Sequence, residues 1–440
     1  MMRSLYSGVA GLKTHQTRMD VIGNNIANVN TVGFKSSSVQ FMDVLYQTTQ
    51  RATGSNPANG AGGTNAKQIG LGTTTAAITK QLEGTGSAET TNNPYDLMLN
   101  GDSFFIVSRG NMNYFTKVGA FKKDGSGYLV TGTGEMVMGW QVDPDDPTKV
   151  RQDTVSALQV ESPTTKYSEP QATTNAHISG NIDKTDSVFE NGGAKIMNVT
   201  VYDKKGYAYN VKMNVKQNNT AGKNTYTVSI ESITDSNNKK ITAGYSLSND
   251  QLEFDVNTGA FKGIGKTGGT SGNTTTLTIN DNQFSPIEFD FSSATMYATS
   301  AASTIKADRG DLKSLGGGRK VGTLNEISIN TDGKIYGIYD NGEEKLLGQI
   351  AVARFANPAG LEAIGNNMYQ TTQNSGDFDG IGQEVTDNGG TMSQGVIEMS
   401  DVDLSTEFTD MIVTQRGFQA NSRIITTSDT MLEELINLKR

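Results

Sequence analysis

The sequence predicts a mainly β, multidomain protein with α-helical, coiled-coil-like N- and C-terminal ends and with discontinuous domains nested one inside another. Apolar residues fall at helical spacing at both ends of the chain, whereas apolar and polar residues alternate through the middle. Glycine is abundant, with 50 Gly against one Trp in 440 residues, which favours polar-faced strands joined by turns. This length exceeds the ~100 to 200 residues usual for one domain.

The first element is an amphipathic helix over residues 4–29. Its large apolar residues recur at steps of three and four, with one gap at Gln16: Leu5, Val9, Leu12, Met19, Ile22, Ile26 and Val29. Asn28, Asn30 and Gly33 can adopt the left-handed conformation that ends a helix. An apolar cluster from Val39 to Tyr46 follows. The Gly-, Asn- and Ala-rich residues 51–67 then predict a loop or extended linker.

Strands are predicted where the hydrophobic period changes to two. The clearest alternating segments are residues 95–108, 195–217, 225–235 and 325–355. Four dipeptides predict hairpin turns between strands: Asn100-Gly101, Asp124-Gly125, Asp332-Gly333 and Asn341-Gly342. The alternation is lost near residues 162–170 and 292–318, which predicts the two crossings into and out of an inserted domain.

The last element is a long helix over residues 402–440, with Asp403 or Ser405 as its N-cap. Ten residues follow a heptad spacing of four and three: Leu404, Phe408, Met411, Gln415, Phe418, Ser422, Ile425, Asp429, Leu432 and Ile436. Polar residues inside such a seam cost stability but specify register and partner number. We therefore expect the terminal helices to pair with one another and with those of other copies.

Four nested regions follow from this order of elements. Residues 1–35 and 402–440 form a terminal helical domain, and residues 36–75 and 380–401 form a connecting region. Residues 76–160 and 292–379 form a β-rich domain, into which residues 161–291 insert an outer β domain.

No catalytic or metal-binding group of residues is predicted, so we expect a protein that is not an enzyme and needs no cofactor. The chain has two His and no Cys. The stretch AFKGIGKT, residues 260–267, resembles a phosphate loop, but Ala260 stands where glycine is required and no helix follows. The acidic turn at Asp377 and Asp379 lacks the rest of a calcium loop.

Charge and hydropathy narrow the partners and the location. A net charge of −9 without a basic patch argues against a nucleic-acid partner. The sequence has no run of 18 apolar residues, so we expect no membrane insertion. Charged residues from Arg3 to Arg18 interrupt the apolar core that a cleavable signal peptide needs. We therefore expect a cytoplasmic protein or one exported with its end uncleaved.

Two long motifs resemble a known family. SLYSGVAGLKTHQTRMDVIGNNIANVNTVGFK, residues 4–35, is similar to the N-terminal signature of bacterial flagellar rod and hook proteins. VDLSTEFTDMIVTQRGFQANSRIITTSDTMLEELINLKR, residues 402–440, resembles the matching C-terminal end, and residues 357–376 are similar to a segment that precedes it. Distal rod proteins share both ends but lack a large inserted domain, so the hook branch is the better match.

The resemblance implies a structural subunit that self-assembles into a flexible helical tube, couples the flagellar rod to the filament and transmits torque. It implies export through the flagellar export apparatus without cleavage of a signal peptide, and a place in the extracellular hook of the flagellum. Expected partners are other copies of the chain, the rod, the hook cap and the hook–filament junction proteins.

The expected assembly interface comprises Leu5, Val9, Leu12, Ile22, Asn24, Asn25, Ile26, Asn28, Leu404, Phe408, Met411, Phe418, Ile425, Leu432 and Ile436. Each buried apolar side chain of this kind contributes ~1.5 to 3 kcal/mol. Three alternatives stay open: a distal rod protein, an enzyme with an unrecognised pocket, and a trimeric surface or phage fibre. A trimeric fibre would not need paired helices at both termini.

Overall fold

The structure, a computed structural model, describes residues 2–54, 62–110, 112–218, 224–265 and 272–438. Over these residues the chain is mainly β with one long α-helix at each end, which confirms the predicted fold class. Parts of three predicted features lie outside the described residues. These are residues 55–61 of the linker, Lys266 and Thr267 of the phosphate-loop-like stretch, and the helix end at 439–440.

The chain begins with a helix, continues through a long succession of strands and finishes with a second helix. The first half contains α1 Met2–Ala27, β1 Ser37–Asp43, β2 Tyr46–Gln50, β3 Lys67–Gly70, β4 Thr73–Lys80, β5 Ala88–Thr90, β6 Leu97–Asn100, β7 Phe104–Arg109, β8 Met112–Thr116, β9 Phe121–Lys123, β10 Leu129–Thr131, β11 Met136–Gln141, β12 Ser156–Ala157, β13 Tyr167–Ser168, β14 Asn175–Asn181, β15 Ala194–Tyr202 and β16 Ala208–Gln217.

The second half contains β17 Thr225–Asp235, β18 Tyr245–Leu247, β19 Gln251–Phe254, β20 Phe261–Gly265, β21 Thr274–Ile279, β22 Ile287–Thr295, β23 Lys306–Arg309, β24 Gly322–Ile329, β25 Lys334–Tyr339, β26 Glu344–Ile350, β27 Val352–Ala353, β28 Glu362–Gly365, β29 Met368–Gln370, β30 Thr391–Gln394, β31 Val396–Glu398 and α2 Leu404–Asn437. Short 3₁₀ turns cover Ser187–Gly192, Pro358–Gly360 and Val385–Asn388.

The end of α1 and the start of α2 lie close to where the sequence predicts them. Past the end of α1, the Asn28 side-chain amide donates to the Asn24 carbonyl at 2.9 Å, and Gly33 follows with a φ of 64°. Asp403 is the N-cap of α2, since its carboxylate accepts from the Ser405 N–H at 2.9 Å. In the described part of the chain, neither helix is long and apolar enough to cross a membrane.

The chain divides into two compact units. Unit 1 comprises Met1–Ser162, Ile327–Gly337 and Lys345–Arg440, and unit 2 comprises Pro163–Glu326 and Ile338–Glu344. The four domain ranges predicted from the sequence stay predictions.

Unit 1 is built on a sheet in which β26, β11, β7, β8, β29 and β28 are successive neighbours. Strand β7 is buried on both faces, because Phe104 and Ile106 pack into one apolar cluster and Phe105 and Val107 into another. All four side chains are fully buried. Residues 104–107, within the segment predicted as an alternating strand, do form a strand, but as a continuous apolar run without alternation.

Three of the four predicted hairpin turns are confirmed, and one is wrong. Asp124-Gly125 lies between the paired strands β9 and β10, Asp332-Gly333 between β24 and β25, and Asn341-Gly342 between β25 and β26. Asn100-Gly101 instead joins β6, which pairs with β30, to β7, which pairs with β8. Long-range pairing has overridden the local turn signal there.

A ribbon of paired strands follows α1, where the sequence indicated only an apolar cluster and a linker. Strand β1 pairs with β4, and β2 pairs with β3, both antiparallel. The side chains of β2 and β3 are exposed along their whole length. The hydroxyl of Thr14 in α1 lies 3.2 Å from the hydroxyl of Thr73 in β4, so the β1–β4 pair packs on α1.

Unit 2 contains two five-stranded sheets around one core. Their strand orders are β18-β21-β22-β14-β23 and β15-β16-β17-β19-β20. Strand β14 pairs with β22 in parallel and with β23 antiparallel. Along β15 the buried core residues Met197, Val199 and Val201 alternate with exposed ones.

Candidate assembly surface of the terminal helices

The two terminal helices lie side by side and antiparallel in unit 1. Residue numbers fall along α2 as they rise along α1. Ser4 lies beside Ser428, Gly11 beside Asn421, Gly417 beside His15, and Asn25 beside Glu407. The expected pairing of the two ends is therefore present within one chain.

Small and polar residues form the contact face. On α1, Gly8, Gly11, Thr14, Ile22 and Asn25 are buried, and on α2 only Thr414 and Ser428 are buried among the described residues. A Cβ added to Gly11 would lie 2.6 Å from Asn421 Nδ2. A Cβ added to Gly417 would lie 2.7 Å from Cε1 and Nε2 of His15. The side chains of Asn421 and His15 fill the space where a Cβ would stand at these two glycines.

The residues of α2 that face α1 coincide with the predicted heptad at every second position and differ from it by one residue at the others. Its inward-facing residues are Glu407, Met411, Thr414, Phe418, Asn421, Ile425, Ser428 and Leu432. Met411, Phe418, Ile425 and Leu432 belong to both sets. Of the other predicted positions, Ser422 is half-buried, and the remaining five are exposed: Leu404, Phe408, Gln415, Asp429 and Ile436. Because this contact face is narrower than the predicted stripe, much of the apolar stripe of α2 stays exposed.

Asn25 is the asparagine of the N-terminal motif that the fold buries, with 1% of its surface exposed. Its Nδ2 donates to the Ser37 carbonyl at 2.9 Å and to Glu407 Oε1 at 2.8 Å, and its Oδ1 accepts from the Ser37 N–H at 3.0 Å. One amide therefore joins α1, the start of β1 and α2. Its neighbours Asn24 and Asn28 are exposed and half-buried and help to end the helix.

Charged groups add to the helix contact. Arg18 Nη2 lies 2.8 Å from Asp410 Oδ2. Burial raises the pKa of Glu407, although the hydrogen bond from Asn25 acts in the opposite direction. Burial, and then the nearby Arg18 guanidinium, lower the pKa of His15. The His15 Nδ1 is buried with no hydrogen-bond partner among the described residues.

The predicted interface residues divide into three groups by exposure. Ile22 and Asn25 are buried between the helices. Six apolar side chains and one amide are half-buried along the helix pair: Leu5, Leu12, Ile26, Met411, Phe418, Ile425, and Asn28. Leu432 is also half-buried, whereas Val9, Asn24, Leu404, Phe408 and Ile436 are exposed. Their role in assembly stays a prediction.

A buried charge cluster ties both chain ends to the β-structure of unit 1. Lys35 Nζ lies 2.8 Å from Glu398 Oε1, with 1% of each side chain exposed. Lys35 also donates to the Gly84 carbonyl at 2.7 Å, and Glu398 Oε1 accepts from the Gly86 N–H at 2.6 Å. Lys117 is fully buried nearby. Burial, and then the Lys35 charge, lower its pKa to about 8.

The helix junction also encloses a cleft of about 290 Å³, lined by residues of α1, β1 and α2 that include Arg18, Ile22, Asp401 and Glu407. Its carboxylates are already engaged. Asp401 accepts from Ser36, Glu407 from Asn25, and Asp410 from Arg18. Within the described ranges, no group of three or more His, Cys, Asp or Glu is placed to hold a metal ion.

Several of these residues were not predicted from the sequence. Gly8, Gly11, His15, Gly417 and Thr414 were not predicted, because the predicted seam followed large apolar side chains. A signal was present, since Ser4, Gly8, Gly11, His15, Arg18, Ile22 and Asn25 are themselves spaced by four and three. Lys35 and Glu398 carried no local signal, because 363 positions separate them.

Three sequence families match the chain. Residues 5–35 match a family described as flagella basal body rod protein, and residues 393–438 match the flagellar basal body rod FlgEFG protein C-terminal family. Residues 98–180 match the flagellar hook protein FlgE/F/G D1 domain. The matches at the two ends include almost all of α1 and the whole of α2.

Full-length relatives carry the same assignment. The chain is 36% identical over 460 residues to the flagellar hook protein FlgE of Borreliella burgdorferi, and 33% identical over 475 residues to that of Treponema pallidum, with all of each chain covered. It is 30% identical to the flagellar basal-body rod protein FlgG of Bacillus subtilis, also over the whole of both chains. The hook proteins among these relatives have higher identities to the chain than the rod protein has. The chain therefore belongs to the family of bacterial flagellar rod and hook proteins and, within it, to the flagellar hook proteins.

Proposed function

We propose that this chain polymerises through its terminal helices into the flexible tube of the flagellar hook, which couples the rod to the filament and transmits torque. One observation carries the proposal: α1 and α2 pair largely through small and polar residues, while several large apolar side chains of α2 stay exposed. Phe408 is 50% exposed, Ile412 59% and Ile436 68%. Other copies of the same helix pair are the partners that would bury this surface.

The C-terminal end of α2 adds to this surface. Ser428 lies beside Ser4, so residues beyond about 430 extend past the first described residue of α1. Met431, Leu435, Ile436 and Leu438 in this overhang are between 49% and 82% exposed. The overhang Met431–Asn437 is ~10 Å long at 1.5 Å per residue. In a tube, such an overhang would pack against the helix pair of a neighbouring copy.

The residues of the two helices take distinct roles in this proposal. The predicted Asn25, with Gly8, Gly11 and Gly417, holds the two helices of one chain together. Val9, Leu404, Phe408 and Ile436 bury against other copies. The rod, the hook cap, the junction proteins and the export apparatus would then be the further partners, and the extracellular part of the flagellum the location.

A charge placed on the exposed stripe tests the proposal. Phe408→Asp should abolish polymer formation, because every copy would bury an unpaired carboxylate between helices. Leu432→Asp, at a half-buried position of α2 rather than on the exposed stripe, should also block polymer formation. The matched control is Thr409→Asp, which adds the same charge at the next position, where the side chain is exposed and polar.

The readout is electron microscopy and sedimentation under polymerising conditions, with Trp140 fluorescence as a check on folding. Trp140 is 2% exposed in unit 1 and is the chain's one tryptophan. Curved tubes from the unmodified chain and from Thr409→Asp, with monomers from Phe408→Asp, would support the proposal. Normal tubes from Phe408→Asp would show that the stripe is misassigned, and straight rods from the unmodified chain would favour the distal rod.

A further inference from the structure

Unit 2 presents an exposed Asn-Gly pair in the turn that leads into β15. Asn191 has a φ of 56° and a ψ of 27°, Gly192 has a φ of 78°, and the Gly193 N–H donates to the Glu190 carbonyl at 3.1 Å. Positive φ at both central residues is typical of a type I′ turn, in which Asn-Gly is a preferred pair. Asn191 is exposed, and a Cβ added to Gly192 would have no neighbour within 4 Å.

An asparagine followed by glycine can react with its own backbone. The glycine nitrogen attacks Cγ of the asparagine, the side-chain nitrogen leaves as ammonia, and a cyclic succinimide forms. Water then opens the ring at either carbonyl, which gives aspartate or isoaspartate. The two steps consume one water, release one ammonia and require neither an oxidant nor an enzyme. Glycine favours the attack, because it has no Cβ beside the reacting nitrogen.

The chain contains five Asn-Gly pairs, which begin at Asn59, Asn100, Asn191, Asn341 and Asn388. Neither Asn59 nor the side chain of Asn388 is among the described parts of the chain. The other three pairs share the sequence signal but differ in how the fold holds the asparagine amide. The fold therefore decides which of these three reacts.

The amide of Asn341 is held at both of its polar atoms. Its Oδ1 accepts from the Glu343 N–H at 3.0 Å. Its Nδ2 donates to the Lys320 carbonyl at 3.0 Å and to Ser168 Oγ at 3.3 Å. All three hydrogen bonds constrain the side chain, so Cγ cannot turn freely towards the nitrogen of the next residue.

The amide of Asn100 is also held, whereas that of Asn191 is free to move. Asn100 is half-buried in β6, and its Nδ2 donates to Thr391 Oγ1 at 3.2 Å and to Ser393 Oγ at 3.4 Å. The Asn191 side chain makes no hydrogen bond among the described residues. Its Cγ can therefore approach the Gly192 nitrogen without first losing a contact.

We infer that Asn191 is a site of spontaneous deamidation in the folded chain, where water converts the asparagine into aspartate and isoaspartate. The three hydrogen bonds of Asn341 must open before it reacts, so Asn191 should react faster by about ten- to a thousandfold. Either product adds one negative charge to unit 2, and isoaspartate also inserts a carbon into the backbone. The inference does not depend on polymer formation.

Timed peptide mapping of the unmodified chain tests the inference. The folded chain is incubated in mildly alkaline buffer, sampled over time and digested with trypsin at mildly acidic pH, which limits reaction during digestion. Trypsin cleaves after Lys and Arg, so residues 81–109, 185–195 and 335–345 carry the three asparagines on separate peptides. Mass spectrometry detects the increase of about 1 Da on deamidation. Isoaspartate is labelled by a protein isoaspartate methyltransferase with S-adenosylmethionine, and Asn191→Asp supplies the standard for the aspartate product.

We expect the mass increase first in residues 185–195, with residues 335–345 and 81–109 largely unchanged. In urea the difference should disappear, because the three Asn-Gly pairs then react without a fold to hold them. Equal rates for Asn191 and Asn341 in the folded chain would overturn the inference. It would also fail if Asn191 gained no mass over the time in which the unfolded chain converts. A difference that persisted in urea would contradict it as well, because neighbouring residues rather than the fold would then set the rates.

Discussion

The buried ion pair of Lys35 and Glu398 gives a quantitative test of how the two chain ends are held in unit 1. Lys35→Met leaves the Glu398 carboxylate 1% exposed with only the Gly86 N–H as a partner, since its Oε2 already has none. Removing one member of a buried pair costs ~3 to 5 kcal/mol. Glu398→Gln should cost a similar amount, because it leaves the Lys35 ammonium without a counter-charge.

The double variant Lys35→Met/Glu398→Gln should be more stable than either single variant. Its glutamine can still accept from the Gly86 N–H and can donate towards the Gly84 carbonyl, and neither charge of the pair stays buried. Replacing both members of a buried pair is often nearly neutral, whereas breaking it is not. The coupling free energy from this double-mutant cycle should therefore be several kcal/mol.

Urea unfolding followed by the fluorescence of Trp140 measures these changes. Trp140 is buried in unit 1, where its Nε1 donates to the carbonyls of Asp153 and Ile381 at 3.0 Å, so its signal reports on that unit. For a slope of about 2 to 3 kcal/mol/M, the midpoint of each single variant should fall by about 1 to 2.5 M. A loss below ~1 kcal/mol in Lys35→Met, the value of an exposed pair, would refute the reasoning. So would single losses that simply add in the double variant.

Three further predictions use the same unfolding assay or helicity. Burial lowers the pKa of Lys117 to about 8, so the unfolded chain binds more protons than the folded chain between pH 8 and about 10.5. The free energy of unfolding of unit 1 should therefore rise by about 2 to 3 kcal/mol over that range. The variant Lys117→Met should lack this rise. The lowered pKa of His15 means that helix pairing should weaken as the pH falls below 6.5, since the unfolded chain protonates first, and His15→Gln should remove this step from the circular dichroism signal. Gly119→Ala should cost several kcal/mol, because its Cβ would lie 1.7 Å from the Leu97 carbonyl oxygen, whereas Gly125→Ala, with open space around it, should change stability by less than about 0.5 kcal/mol.

Much of the architecture follows from local patterns in the sequence. The N-cap Asp403, the glycine and asparagines after α1, and the alternating segments of the middle each act on neighbouring residues, so their outcome does not depend on the rest of the fold. The family is also readable at this level, because residues 4–35 and 402–440 carry long motifs that match known proteins. These features locate the helices and strands along the chain and identify the protein family.

Tertiary structure decided which faces of those elements meet. Hydrophobicity selected Phe408 and Ile436 as part of the seam of α2, yet the contact contains Gly11 and Gly417, against which the side chains of Asn421 and His15 pack. The pairing of Lys35 with Glu398 and the failed turn at Asn100 depend on partners hundreds of residues away in the chain. A local pattern specifies how a segment can fold, but burial and close packing depend on what lies opposite, which only the assembled fold determines.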